Sequence, residues 1–157
     1  MTRPRDDPAE AAAAPVPVND LAQRLATVVG RAGPEIDCAY LFGSFARGES
    51  GPLSDIDVGI LFSELTPAAR RLDLAASVGE DVERLTKSTA DVVMLNDAPP
   101  AVRHRIIRDG LLLFATDDRR RVAFESRSID EFLDFQPVLA RYDQQLLERA
   151  REGRIGK

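Results

Sequence analysis

From Leu41 to Phe62 the chain reads LFGSFARGESGPLSDIDVGILF. An apolar run ends in Gly43-Ser44, ten residues follow, and Asp55-x-Asp57 opens a second apolar run. Few folds accommodate that order. Ile56, Val58, Ile60 and Phe62 alternate with Asp55, Asp57 and Gly59, which predicts a strand over Asp55–Phe62 with one apolar face and one face carrying two carboxylates. Upstream, Cys38, Tyr40 and Phe42 share one face of a strand over Ile36–Phe42, and Ala39 and Leu41 share the other. Apolar on both faces, that strand is expected to be central. Between them a short helix is expected over Ser44–Arg47, stopped by Gly48, and Gly51-Pro52 marks a turn.

The remaining elements follow from periodicity and punctuation. Residues 1–18 are rich in Pro, Ala and charge, show no apolar period, and are expected to be a disordered extension. The single folded domain is then 19–157. A helix capped by Asn19 or Asp20 carries Leu21, Leu25 and Val28 or Val29 at helical spacing and ends near Gly30 or Gly33. Thr66-Pro67 is a helix-start pair for a helix to about Lys87, with Leu72, Ala75, Val78, Val82 and Leu85 on its inner stripe. A third strand covers Asp91–Leu95, a helix runs from Pro99-Pro100 to Gly110, and a fourth strand covers Leu111–Phe114. From Asp117 to about Arg151 the pattern is helical, with Pro137 expected to divide or kink it. The order is that of an α/β or α+β domain, a small mixed sheet covered by helices.

Composition removes other classes. A chain of 157 residues is one domain by size and can bury a core unaided. With 44% hydrophobic and 30% charged residues it has the balance of a soluble protein. A net charge of -5 argues against direct nucleic-acid binding through phosphate contacts. Cys38 is the only cysteine, so neither an internal disulfide nor a cysteine zinc site is available. No apolar run reaches the roughly 18 residues of a membrane span. The Ala11–Ala14 run, flanked by acids and broken by Pro15 and Pro17, is not a signal peptide. A cytoplasmic location is expected.

Asp55 and Asp57 project from the same face of their strand. Two like charges held that close repel unless a cation lies between them. Magnesium is commonly held by one or two carboxylates together with substrate phosphates. Taken alone, an Asp-x-Asp is more often a pair of strand-start carboxylates that are solvated or cap a neighbour, and its place beside the Gly-Ser turn changes that balance. The Gly43-Ser44 turn supplies the complementary part, since helix-start N–H groups attract phosphate, Ser44 adds a hydroxyl, and Gly43 lets phosphate approach the backbone. Arg47 could reach the same phosphate or be a surface charge. Glu49 and Ser54 are expected to support the loop. A third carboxylate would be needed to hold two metals; Asp91, at the start of the third strand, is the better candidate, and Asp97, in the loop beyond that strand, is the other. His104 is expected at the surface, and the Arg119–Arg121 cluster on a solvated face.

The stretch GSFARGESGPLSDIDV resembles the signature of the DNA polymerase β-like nucleotidyltransferase superfamily, which is Gly-Ser, a spacer, Asp-x-Asp, and a third Asp on a later strand. The ten-residue spacer, the Ala-Arg-Gly and the small size are similar to the minimal nucleotidyltransferases, in kind to antitoxins paired with HEPN-domain toxins. The resemblance covers Leu41–Phe62 specifically, Asp91–Leu95 fairly and the C-terminal helices loosely. It implies transfer of a nucleoside monophosphate from a nucleoside triphosphate to a hydroxyl, with release of pyrophosphate. Asp55, Asp57 and Asp91 would be the catalytic residues and would bind two magnesium ions. Gly43, Ser44 and Arg47 would hold the nucleotide. In the antitoxin group the donor is ATP, the acceptor a tyrosine of the partner toxin, and the attached AMP silences the toxin's RNase. A non-enzymatic antitoxin that works by occlusion, and a transferase acting on a small molecule, are the alternatives. The apolar residues after the fourth strand, among them Phe124, Phe135, Leu139 and Tyr142, either cover the sheet or dock a partner.

Overall fold

Alternation of apolar side chains lays down four strands, and their packing requires helices on both sides. The computed structural model describes residues 17–151. The elements are α1 (Val18–Gly30), β1 (Ile36–Phe42), α2 (Gly43–Ala46), β2 (Ile56–Phe62), α3 (Ala68–Thr86), β3 (Ala90–Met94), α4 (Pro100–Asp109), β4 (Leu111–Ala115) and α5 (Asp118–Arg151). The sheet order is β3-β2-β1-β4. β1 runs antiparallel to β2 and β4, and β2 runs parallel to β3. That parallel pair needs a crossover, which α3 provides.

The central position expected of β1 is observed, and its first six residues are buried. One side of the sheet packs on α1 and α3, joining Leu25, Val29, Ala39, Leu41, Val58, Phe62, Val78 and Val82 in one core. On the other side Cys38, Tyr40, Leu61 and Leu95 meet Ile106 of α4 and Phe124 of α5. Ile36 belongs to the first core although Cys38, two residues on, belongs to the second. An irregularity in the β1–β2 register between those residues breaks the alternation. Gly59 keeps β2 clear of α4, because a Cβ there would lie 3.2 Å from Ile106.

Several expectations shift by a residue or more. α1 is preceded by Pro17 and Asn19 and Asp20 lie inside the helix; among the described residues no side chain caps it. The expected extension at 1–18 lies outside the described residues as far as residue 16, and Val18 already belongs to α1. Pro67, not Thr66, precedes α3. Leu72 is exposed and Leu74 takes its place on the buried stripe beside Ala75. β2 begins at Ile56, and β3 spans Ala90–Met94. Pro137 does not divide α5, which is one helix of 34 residues. Only Phe124 and Ser128 of α5 are buried, so the helix covers the sheet with its first turns alone. His104 is half-buried, its ring stacked on that of Phe132 at 4.0 Å between centroids. Arg120 and Arg121 are paired, with Asp37 at 3.0 Å and Glu125 at 2.8 Å. Among the described residues no helix is long and apolar enough to cross a membrane.

Beneath α5 the Tyr40 hydroxyl donates to Glu125 Oε1 at 2.6 Å, and the Cys38 thiol faces the same hydroxyl at 3.8 Å. Burial pushes the Cys38 thiol up to about 12, against a smaller opposing effect of its contact with Tyr40. The thiolate is the reactive form. Cys38 should therefore resist a thiol reagent at pH 8 in the native chain and react once the chain is unfolded in denaturant, as read by mass spectrometry.

Candidate functional site

The sheet brings the sequence-distant carboxylates to one end. In the β1–β2 pair Phe42 stands opposite Asp57, and in the parallel β2–β3 pair Asp57 stands opposite Asp91. Residues opposite one another in register share a face. Asp57 thus lies between the end of β1 and the start of β3, with Asp55 just ahead of β2. Asp57 is half-buried, while Asp55 and Asp91 are exposed.

Gly43 closes this end of the sheet over Asp57. Its φ is +73°, a left-handed conformation that L side chains rarely adopt. A Cβ at Gly43 would fall 2.0 Å from Asp57 Oδ2. The glycine therefore makes room for a carboxylate as well as turning the chain. The first N–H groups of α2, at Gly43 and Ser44, have no acceptor within a helix of that length. The turn that offers donors and the strand that offers carboxylates are in contact.

The carboxylates repel one another. Burial raises the Asp57 pKa, the charges of Asp91 and then Asp55 raise it further, and only Arg47 opposes them. Asp55 and Asp91, both named from the sequence, thus act on the third, Asp57. Among the described residues no three His, Cys, Asp or Glu side chains are close enough to hold a metal ion unaided. A hard cation here would need oxygen ligands from a substrate as well.

The other expected residues divide. Arg47 follows α2 and pairs with Glu49 at 2.8 Å, both exposed. Ser54 Oγ accepts the Gly51 N–H at 2.8 Å, which fixes the turn before β2. Glu49 and Ser54 therefore have the loop-supporting contacts expected of them. Asp97 lies past the far end of β3 and faces Arg71 at 3.8 Å, apart from Asp55 and Asp57. Sequence reading passed over Asp109 at the end of α4, which is held below the usual carboxylate range by its hydrogen bond to Arg108 and, more weakly, by Arg47. No local pattern marks it, since only the packing of α4 brings it near Arg47.

The family model described as polymerase beta, nucleotidyltransferase, matches residues 25–119, from α1 to the first turn of α5. Among curated proteins, the protein adenylyltransferase MntA of Shewanella oneidensis is 28% identical over 83 residues, which are 53% of this chain and 57% of that protein. The match thus spans little more than half of the relative's length. Among solved structures, a toxin–antitoxin complex with AMP-PNP contains a chain that superposes with a TM-score of 0.66 at 21% identity, covering 80% of this chain and 98% of that one. A chain of the tri-AMPylated S. oneidensis HEPN toxin complex with its MNT antitoxin gives a TM-score of 0.63 at 18% identity, covering 83% and 99%. At those identities the likeness is one of fold.

Two outcomes are expected of this geometry. Gly43→Ala should destabilise the chain by about 1–3 kcal/mol through the left-handed backbone alone, with a further loss from the contact with Asp57, measured as a lower urea midpoint. Asp57→Asn should have the opposite sign. A carboxyl whose pKa is raised by folding binds its proton more tightly in the native state, so native stability falls as pH rises through the carboxylate range. In metal-free buffer near neutral pH the Asn variant should melt higher than the parent, and the gain should shrink as pH falls. Thermal unfolding over a pH series checks both.

Proposed function

Because the chain belongs to the polymerase β nucleotidyltransferase family, we propose that it is a protein adenylyltransferase. It acts as an antitoxin by moving AMP from ATP to a tyrosine hydroxyl of a HEPN-domain toxin. The observation that carries this reading is the register of Asp57 against Asp91 with Gly43 packed over Asp57. That arrangement joins a phosphate-approachable turn to a set of mutually repelling carboxylates. The likeness to MntA, and the fold shared with antitoxin chains from toxin complexes, support the acceptor assignment.

In this reading the Gly43-Ser44 backbone and the Ser44 hydroxyl bind the triphosphate tail. Gly43, without a Cβ, admits the phosphates close to the main chain. Arg47 exchanges its contact with Glu49 for phosphate. The tyrosine oxygen attacks the α-phosphorus, a new O–P bond forms, the α–β phosphoanhydride breaks, and pyrophosphate leaves. Asp91 lies across from Asp57 and accepts the hydroxyl proton. Asp55, Asp57 and Asp91 would hold magnesium, which when bound neutralises charge on the attacking and leaving oxygens. The chain's own contribution is mostly positioning and electrostatics. The same carboxylates that destabilise the empty fold prepare it for a cationic, phosphate-bearing complex.

A purely occlusive antitoxin is the second reading. The observation favouring it is the exposed apolar side of α5, where Phe135, Leu139, Tyr142 and Leu146 are all accessible. The two readings separate in one assay. The chain is incubated with magnesium, labelled ATP and a HEPN toxin, and both label on the toxin and residual RNase activity are followed. Transfer should require divalent metal. Asp57→Asn should lower the transfer rate by more than about 100-fold, beyond the usual effect of losing an outer-shell partner, and Ser44→Ala should lower it while the melting transition persists. Absence of label under every metal tried would sink the transferase, and full silencing of the RNase by a transfer-dead Asp55/Asp57 double variant would favour occlusion.

A further inference from the structure

At the opposite end of the sheet a cleft of about 610 Å³ opens between the ends of β2 and β3 and the helices α3, α4 and α5. It is separated from Asp57 by the length of β2, about 17 Å at the usual rise per residue. Four arginines line it, Arg71, Arg103, Arg120 and Arg127, each from a helix. Three carboxylates also line it, so the charges must be followed individually. Arg120 is held by buried Asp37 at 3.0 Å, and Arg103 by Glu131. Arg103 meets Glu131 through one terminal nitrogen alone. Among the described residues Arg127 has only Glu64, at 3.7 Å and with a side chain 82% exposed. Arg71 has, among the described residues, only Asp97, at 3.8 Å and 64% exposed, and Asp97 is not part of the lining.

Two further donors stand out. The Nε atoms of Arg71 and Arg103 are buried, and among the described residues neither meets an acceptor. A buried guanidinium N–H without an acceptor is costly to leave unmade, so natural structures normally give it one. Arg71 and Arg103 are themselves largely buried, with side chains 18% and 14% exposed, so their guanidinium groups are held in place. The lining also includes the apolar side chains of Leu61 and Phe124. The volume is that of a small-molecule site, and the mixture of fixed donors with an aromatic wall is typical of one. Guanidinium groups favour phosphate through paired N–H donors.

We propose that this cleft is a second binding site, distinct from the Gly43–Asp57 end, for a phosphate-bearing molecule of nucleotide size. Its phosphates accept from the terminal guanidinium N–H groups of Arg71 and Arg103, which the two buried Nε atoms hold in place, Arg127 turns from Glu64 toward them, and its ring rests against Phe124 and Leu61. The proposal does not depend on the transfer reaction.

The test uses the whole chain in EDTA, with ADP and inorganic pyrophosphate as separate probes. Backbone amide resonances are followed by NMR. ADP should shift Phe62, Leu65, Asn96 and Phe124, and should bind more tightly than pyrophosphate because only ADP carries a ring. Arg71→Gln, whose loosely held partner is exposed, should weaken ADP at these resonances by about tenfold or more with an unchanged melting temperature. The proposal is overturned if millimolar ADP moves only Gly43, Ser44 and their neighbours, if pyrophosphate binds the cleft as tightly as ADP, or if Arg71→Gln binds like the parent. The resonance map is read on the unaltered chain, so it decides the question even if the variant folds poorly.

Discussion

The pairing of β1 on both its edges is the constraint on which the rest depends. With β2 on one side and β4 on the other, and with apolar side chains buried in both cores, β1 can neither slide nor turn over. A slip of one residue would exchange its two faces. Because β1 is fixed, the place where it ends is fixed, and Gly43 follows immediately. Because β2 is held in register against β1, Asp57 arrives under that glycine. The hydrophobic effect supplies the stabilisation, and the site inherits its geometry from it.

The site works against the fold that creates it. A carboxylate is kept half-buried beside two others, with one exposed arginine to offset them. Local rules of chain design would place a neutral residue at Asp57. Such conflicts between local stability and sequence choice concentrate at functional positions. At the opposite end of the sheet four guanidinium groups line a cleft, each near a carboxylate, and among the described residues two buried N–H donors meet no acceptor.

Much of this was legible in the sequence because it depends on local order. Period-two alternation located β1 and β2 almost to the residue, and the Gly-Ser and Asp-x-Asp spacing singled out both halves of the site. Asp91 is preferred over Asp97 in the sequence because it starts a strand that could lie beside β2, whereas the parallel pairing that sets it opposite Asp57 is seen only in the sheet. What remained hidden depends on phase or on distant packing. Leu72 and Leu74 are equally apolar, and only the angle at which α3 meets the sheet decides which is buried. The irregularity after Ile36, the Asp109–Arg47 proximity and the Arg-lined cleft arise from separate elements meeting in space. The apolar residues of α5 satisfy a helical period whether the far side is protein or water, so periodicity alone did not show that most of them are exposed.

α5 has a mechanical consequence. Its 34 residues give a rod of about 51 Å, anchored near one end through Phe124 and Ser128. Pro137 has no N–H to offer the carbonyl of Leu133 one turn earlier, so the rod lacks a tie just beyond its anchorage. Whatever is fastened to the outer half is carried on a lever with its compliant point close to the domain. A small change of angle at that point would become a displacement of many ångströms at the tip, while both cores lie on the anchored side.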